Sequence, residues 1–337
     1  MNKYKTLIFS LVILLNSILI NAQPGEPAFQ VEAVSITVSD MEVVLPFYLN
    51  VLNFQPLSDD TVNSRELSRL FKINNAEARI VLLKLGDEKL NLIDFFNINS
   101  KPYPNDSRSN DLWFQHIAII TNNMDSAYAW LKLNKVKNIS VEPQRLPDWN
   151  KNAGGIKAFY FQDPDGHPLE ILEFPKNKGN KKWHQKSNKL FLGIDHTAIA
   201  VSSTKESLKF YRDLLGMNVA GESENYGIEQ AILNNVEDAH LQITGLKTDS
   251  GLGIEFLEYL SPKNGRAYPA DAKSSDLYHW MIEVSVKGNI NSLYNKIIDN
   301  GYITYSPVIN GFNQGNLYFN SAFIVIDPDG HRLLITK

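Results

Sequence analysis

The chain repeats itself, and that constrains its fold more than anything else in the sequence. Lys101 to Trp113 reads KPYPNDSRSNDLW, and Arg266 to Tyr278 reads RAYPADAKSSDLY. A second pair, Asp163-Pro164-Asp165-Gly166-His167 and Asp327-Pro328-Asp329-Gly330-His331, stands at nearly the same offset. Two independent matches at one offset mean a duplicated module, so both halves must satisfy the same fold. The halves occupy 28–175 and 191–337. The segment 176–190 between them contains KNKGNKKWHQKSNK; basic and rich in Asn and Gly, it reads as a solvated linker.

Each half divides again. Val34–Val38 and Thr197–Val201 read as short strands. Each leads into a stretch whose apolar residues recur at three and four: Val43, Val44, Phe47, Tyr48, Leu52, and Leu208, Phe210, Tyr211, Leu214, Leu215. Ile117–Ile120 leads likewise into a helix over Met124–Leu133, and Ile282–Val286 into one over Ile290–Ile298. Two or three alternating segments follow each helix, ending most clearly in Leu90–Phe95, LEILEF at 169–174 and IEFLEY at 254–259. The chain is therefore an α+β protein of four strand–helix–strands units. One such unit cannot close a core, so units must pair, with sheets curving around shared cavities.

The N-terminus stands apart from this pattern. Lys3 and Lys5 precede an apolar run from Leu7 to Ile20, then Asn21-Ala22-Gln23 and the turn-rich Pro24-Gly25-Glu26-Pro27. That order predicts a secretory signal peptide over 1–22, cleaved after Ala22, which leaves no membrane span in the mature chain and an exported, periplasmic or secreted protein. With no Cys, the chain has no disulfide, no thiol nucleophile and no cysteine for lipid attachment. A net charge of -4 and a pI near 6.0 give no electrostatic case for nucleic acid.

Two stretches carry a family resemblance. DHTAIAVSSTKESLKFYRDLLGM (Asp195–Met217) resembles the opening of a vicinal-oxygen-chelate unit, and DPDGHPLEILEF (Asp163–Phe174) its hairpin and last strand. The resemblance to the glyoxalase / bleomycin resistance / extradiol dioxygenase superfamily extends over essentially the whole mature chain. It implies two modules built from four βαβββ units. It says far less about the reaction, because the family hosts several chemistries.

In metal-dependent relatives, each unit offers one ligand at the start of its first strand and one inside its last. On that pattern unit two supplies His116 and Glu170, and unit three supplies His196 and Glu255. Because side chains alternate along a strand, Glu170 and Glu255 share a face while Glu173 and Glu258 lie on the other. Units one and four lack the set: Ala33, Asn91, Met281 and Leu334 fall at the ligand positions. His279 lies two residues upstream of Met281, on the same face, at a cavity edge. Pairing units within modules would split the ligands into two incomplete pairs. Pairing unit two with three, and one with four, gathers all four into one cavity. His167 and His331 sit in turns set by Asp, Pro and Gly and read as structural.

Two imidazoles and two carboxylates suit divalent Ni, Zn, Mn, Co or Fe, with positions open for a small substrate carrying vicinal oxygens. The resemblance then implies a lyase, isomerase or epimerase in which Glu170 or Glu255 also moves a proton. One rival is a ring-cleaving non-haem iron dioxygenase using His196, His279 and Glu255. Another is a non-catalytic protein that sequesters a planar ligand among Trp113, Tyr160, Tyr226 and Tyr318. Arg145, Trp149 and Lys151 sit in a loop-like stretch that either lines a pocket or, the favoured reading, is an ordinary exposed loop.

Overall fold

A computed structural model describes residues 29–248, 250–314 and 317–337; the expected leader lies outside them. Among the described residues, no helix is long and apolar enough to cross a membrane.

Two nine-stranded sheets organise the molecule, and the units cross between modules to build them. In one sheet the first strands of units two and three, Gln115–Thr121 and Phe191–Val201, run antiparallel side by side. Each is flanked on its outer side by the last strand of its own unit, parallel to it: Pro168–Glu173 and Gly253–Ser261. The second sheet repeats this plan with units one and four. Phe29–Val38 lies beside Trp280–Val286, flanked by Glu88–Phe95 and Arg332–Thr336. The crossed pairing expected from the ligand pattern is the observed one.

Strand alternation divides the side chains between two environments. Ile117, Ile119, Ile199, Ile171, Val34, Ile36, Leu90 and Leu92 enter one continuous core together with Val44, Tyr48, Phe210, Tyr211 and Ile297 from the helices. Their alternate neighbours face the concave side of each sheet, where two separate apolar clusters form. A one-residue slip would exchange these faces, so burial of the isoleucines holds the register that aims the polar residues into the cavities.

The helices start where capping side chains allow. Asn123 accepts from the Ser126 amide ahead of Met124–Leu133, and Ser64 from the Leu67 amide ahead of Arg65–Phe71. Short second helices in units one and three, Arg65–Phe71 and Ile228–Asn234, were not expected from the sequence. At seven residues each they span two turns, too short for a periodic pattern to stand out.

The DPDGH turns fasten each half together. Asp163 Oδ1 accepts from the amides of Asp165 and His167, both at 2.9 Å, while its Oδ2 takes the Tyr48 hydroxyl at 3.0 Å. His167 bridges Asp163 Oδ2 at 2.7 Å and the Thr37 carbonyl at 3.0 Å. Both ring nitrogens therefore donate, which requires the imidazolium. Burial opposes that charge, but the Asp163 carboxylate outweighs it and raises the His167 pKa. In the second half Asp327 takes the Tyr211 hydroxyl at 3.0 Å, and His331 Nε2 donates to the Ala200 carbonyl at 2.8 Å. Gly166 and Gly330 occupy positive φ, and at Gly330 a Cβ would lie 2.6 Å from Tyr268.

Candidate metal centre

The sheet of units two and three brings the four expected residues to one place on its concave face. In the antiparallel ladder His116 pairs with Ala198 and His196 with Ala118. In the parallel ladders Ala118 pairs with Glu170 and Ala198 with Glu255. Two alanines thus leave room at the centre, and the His and Glu side chains surround it.

Distances confirm the convergence. His116 Nε2 lies 3.2 Å from Glu170 Oε2, and His196 Nε2 lies 3.8 Å from the same oxygen and 3.3 Å from Glu255 Oε2. His116, Glu170 and His196 each offer a ligand atom within 4.8 Å of the others. The two glutamates differ in access: the side chain of Glu170 is 6 % exposed, that of Glu255 32 %. They stand at the floor of a cavity of ≈ 730 Å³ walled by Leu146, Ile156, Leu172, Leu233, Ile243 and Leu257.

Charge is concentrated here and incompletely matched. Burial works against a charged His196, but Glu255 and Asp195 draw its pKa up to about 9. Glu255 is raised by desolvation in the cavity, with the Glu170 charge adding to it. His116 Nδ1 and His196 Nε2 are buried without hydrogen-bond partners among the described residues. Orphaned imidazole nitrogens beside two carboxylates, with no sulfur, fit a divalent first-row cation.

Three residues outside the expected set complete the site. The ladder between the central strands slips between Ile194 and His196, and the bulged Asp195 places its Oδ2 3.2 Å from His196 Nδ1. Trp183 donates its indole N–H to Asp195 Oδ1 at 2.6 Å. Tyr160 pairs with Glu170 across the hairpin and lays its ring 4.9 Å from that of His116. Desolvation raises its phenol pKa well above the usual value, so the hydroxyl stays protonated. Only Tyr160 had a signal in the sequence, as one aromatic residue among several.

The remaining candidates fall elsewhere. His279 is buried on the other sheet, its Nδ1 3.2 Å from Thr37 Oγ1, so the set His196, His279 and Glu255 is not assembled. Arg145 pairs with Asp148 at the surface. Trp149 is half exposed against Tyr226, and Lys151 stands exposed in its loop while also lining the cavity. Trp113 packs under Arg266, away from the site, and the side chain of Tyr318 lies outside those described. The segment expected to be a solvated linker is docked: it holds a short helical turn, Lys181–His184, with Trp183 buried.

Crossed units, two half-barrel sheets and a buried His–Glu–His cluster define a two-module protein of the vicinal-oxygen-chelate type. A profile of the Glyoxalase/Bleomycin resistance protein/Dioxygenase superfamily matches residues 30–171 and 193–335, and the chain belongs to that superfamily. Among solved structures, glyoxalase I from Zea mays is similar with a TM-score of 0.63 at 13 % identity, over 92 % of this chain and 93 % of that one. A putative dioxygenase from Bacillus subtilis is similar with a TM-score of 0.56 at 12 % identity, over 93 % and 86 %. At such identities the likeness is one of fold. No curated protein matches the sequence.

Proposed function

We propose that the chain is an exported, divalent-metal-dependent lyase, isomerase or epimerase acting on a small substrate with vicinal oxygens. The observation that supports this most directly is the His116–Glu170–His196 cluster with Glu255 beside it, of which Glu170, His196 and Glu255 line a cavity large enough for a small molecule. His116, Glu170, His196 and Glu255 would hold the cation, which when bound polarises a carbonyl beside the carbon that loses its proton.

The two carboxylates take different parts in this reading. Glu170 is enclosed beside both imidazoles and serves as an anchor. Glu255 opens onto the cavity, and its desolvated, raised pKa suits a group that takes and returns a proton. Tyr160, protonated and next to His116, offers a hydrogen bond to a substrate oxygen on that side. The opposite wall is emptied by Gly221 and Gly245, which leaves space over Glu255 for the body of the substrate.

The test is metal analysis and solvent-deuterium exchange at the α-carbon of a panel of α-hydroxy carbonyl compounds. Glu255→Gln should keep the metal and lose exchange by about 10² or more, while Glu170→Gln should lose the metal. Undiminished exchange in both variants would sink the proposal. Export is tested by N-terminal sequencing of the protein from the producing cell; a mature terminus at Gln23 is expected, and an intact Met1 in the cytosol would refute it.

A second reading has one observation in its favour. His116, His196 and Glu170 form the tighter group, and two His with one carboxylate is also an iron(II) oxygenase pattern. Oxygen uptake by the iron(II)-loaded protein with a catechol would favour it over proton transfer. A wild-type protein that binds no metal would leave sequestration of a small ligand.

A further inference from the structure

We propose that the segment joining the two modules is a working part of the metal centre, in which Trp183 holds Asp195 and Asp195 orients His196. This rests on reading the His–Glu cluster as a metal site. Asp195 and Trp183 act here as positioning residues.

The chain of contacts is short, with Trp183 and His196 buried at its ends and Asp195 partly exposed between them. Trp183 is 6 % exposed although its neighbours are Lys, Asn and Gly. It lies over Gly193, where a Cβ would stand 2.7 Å from the indole ring, so the absence of a side chain there makes the dock. From that position the indole N–H reaches Asp195 Oδ1 at 2.6 Å, and Asp195 Oδ2 lies 3.2 Å from His196 Nδ1. An acceptor at Nδ1 holds a proton there and aims Nε2 into the space beside Glu170 and Glu255, where it would take the cation. A carboxylate gripped from its far side by the indole is held against rotation away from the imidazole.

The segment is secured at both ends. Lys182 stacks over the Trp183 ring at 4.2 Å and pairs with Glu88 of unit one, whose other oxygen accepts the Ile194 amide at 3.2 Å. Lys178 reaches the Lys151 carbonyl at 2.8 Å, and Asn177 to Asn180 form part of the cavity wall. A linker that only spanned a gap would need none of these bonds.

Two contrasts show that the arrangement is particular to His196. The Nδ1 of His116 has no partner among the described residues. In the other sheet the ladder slips at the matching place, between Val31 and Ala33, and the carboxylate there, Glu32, bonds Ser285 at 2.6 Å with no imidazole to orient.

The experiment is a titration of the full-length metal-free protein with Zn²⁺ and Ni²⁺ against a chromogenic chelator. Trp183→Phe keeps the ring and removes the donor; Asp195→Asn keeps the shape and the indole packing. Loss of such supporting bonds weakens metal affinity about 10- to 100-fold, and both variants should fall in that range with melting temperatures near wild type. Metal loading should also slow tryptic cleavage at Lys176–Lys189 several-fold in the wild type and much less in Asp195→Asn. If the wild type binds metal and both variants bind it equally tightly, the positioning role is wrong. If the wild type binds neither metal, the metal site itself is wrong, and this role falls with it.

Discussion

The two sheets share one plan and hold opposite contents. Met281 stands where His116 does, Ala33 for His196, Leu334 for Glu170 and Asn91 for Glu255, at matching rungs of matching ladders. Around the His and Glu set a cavity of ≈ 730 Å³ opens; around the Met and Leu set only ≈ 20 Å³ remains. Leu67, Leu70, Phe71, Phe312 and Phe319 close over the second space. The difference teaches that this fold does not itself require a cavity. One concave face stays open around its His and Glu residues, and bulky apolar side chains fill the other.

Two ionisable side chains, Glu283 and Arg332, stay buried at the collapsed face. Glu283 occupies the rung where the ligand sheet has Ala118 and hydrogen-bonds Ser35 and Asn91. Desolvation raises its pKa. Its neighbours satisfy it with neutral donors, and the described residues show no imidazole beside it.

The largest effect expected from this contrast is a transfer of residues between the faces. His116→Met with His196→Ala gives the open face two residues of the closed one. Elemental analysis should then find no bound metal, while circular dichroism shows the fold retained. Full metal content in that variant would remove the basis of the crossed site.

The next effect is on stability. Leu334 is packed in the closed face, so Leu334→Ala should cost about 3 kcal/mol in denaturant unfolding. Its counterpart Glu170→Ala removes an enclosed carboxylate that pairs with His116 but repels Glu255, so the two terms partly offset and it should cost less, about 1 kcal/mol in metal-free protein. Equal costs would mean that the two faces are packed alike.

The smallest effects are on pH dependence, and they have opposite signs. His279, at the rung of Phe114, is buried against Thr37 and Phe71, and its pKa lies well below the ordinary value through desolvation and then Arg332. The unfolded chain takes up a proton below about pH 6.5 that the folded chain refuses, so stability falls as pH drops there. His279→Phe should flatten that acid limb. For His167 the folded pKa is raised, so its contribution is full below about 6.5 and is lost as pH climbs through the raised value. His167→Gln should lower stability most on the acid side. Unfolding curves from pH 5 to 8 check both, and a shared sign would contradict one assignment.

Much of this architecture was legible because it depends on period and offset. The repeats gave the duplication, and alternation placed Glu170 and Glu255 on one face with Glu173 and Glu258 on the other. Glu173 does turn away, to the Met124 amide and Lys157. The absence of ligands in units one and four was enough to choose the crossed pairing. Register also separated Met281 from His279, because a residue two places along a strand keeps the face and changes the rung.

What stayed hidden depends on breaks in those same regularities. Strict alternation sends Asp195 to the face opposite His196, and only a bulge brings the two carboxylate and imidazole groups together. Trp183 sits in a segment whose composition argues for solvent, and its burial depends on Gly193 and Glu88, distant in sequence from one another. The sequence by itself determined the units and their pairing and set His116, Glu170, His196 and Glu255 on one face, since hydrophobic period and register are local properties. Tertiary structure alone decided that the linker docks with Trp183 on Asp195, that Glu255 is the more exposed carboxylate, and that the second face is shut. Those outcomes depend on how residues from four units fill one space, which no local pattern encodes.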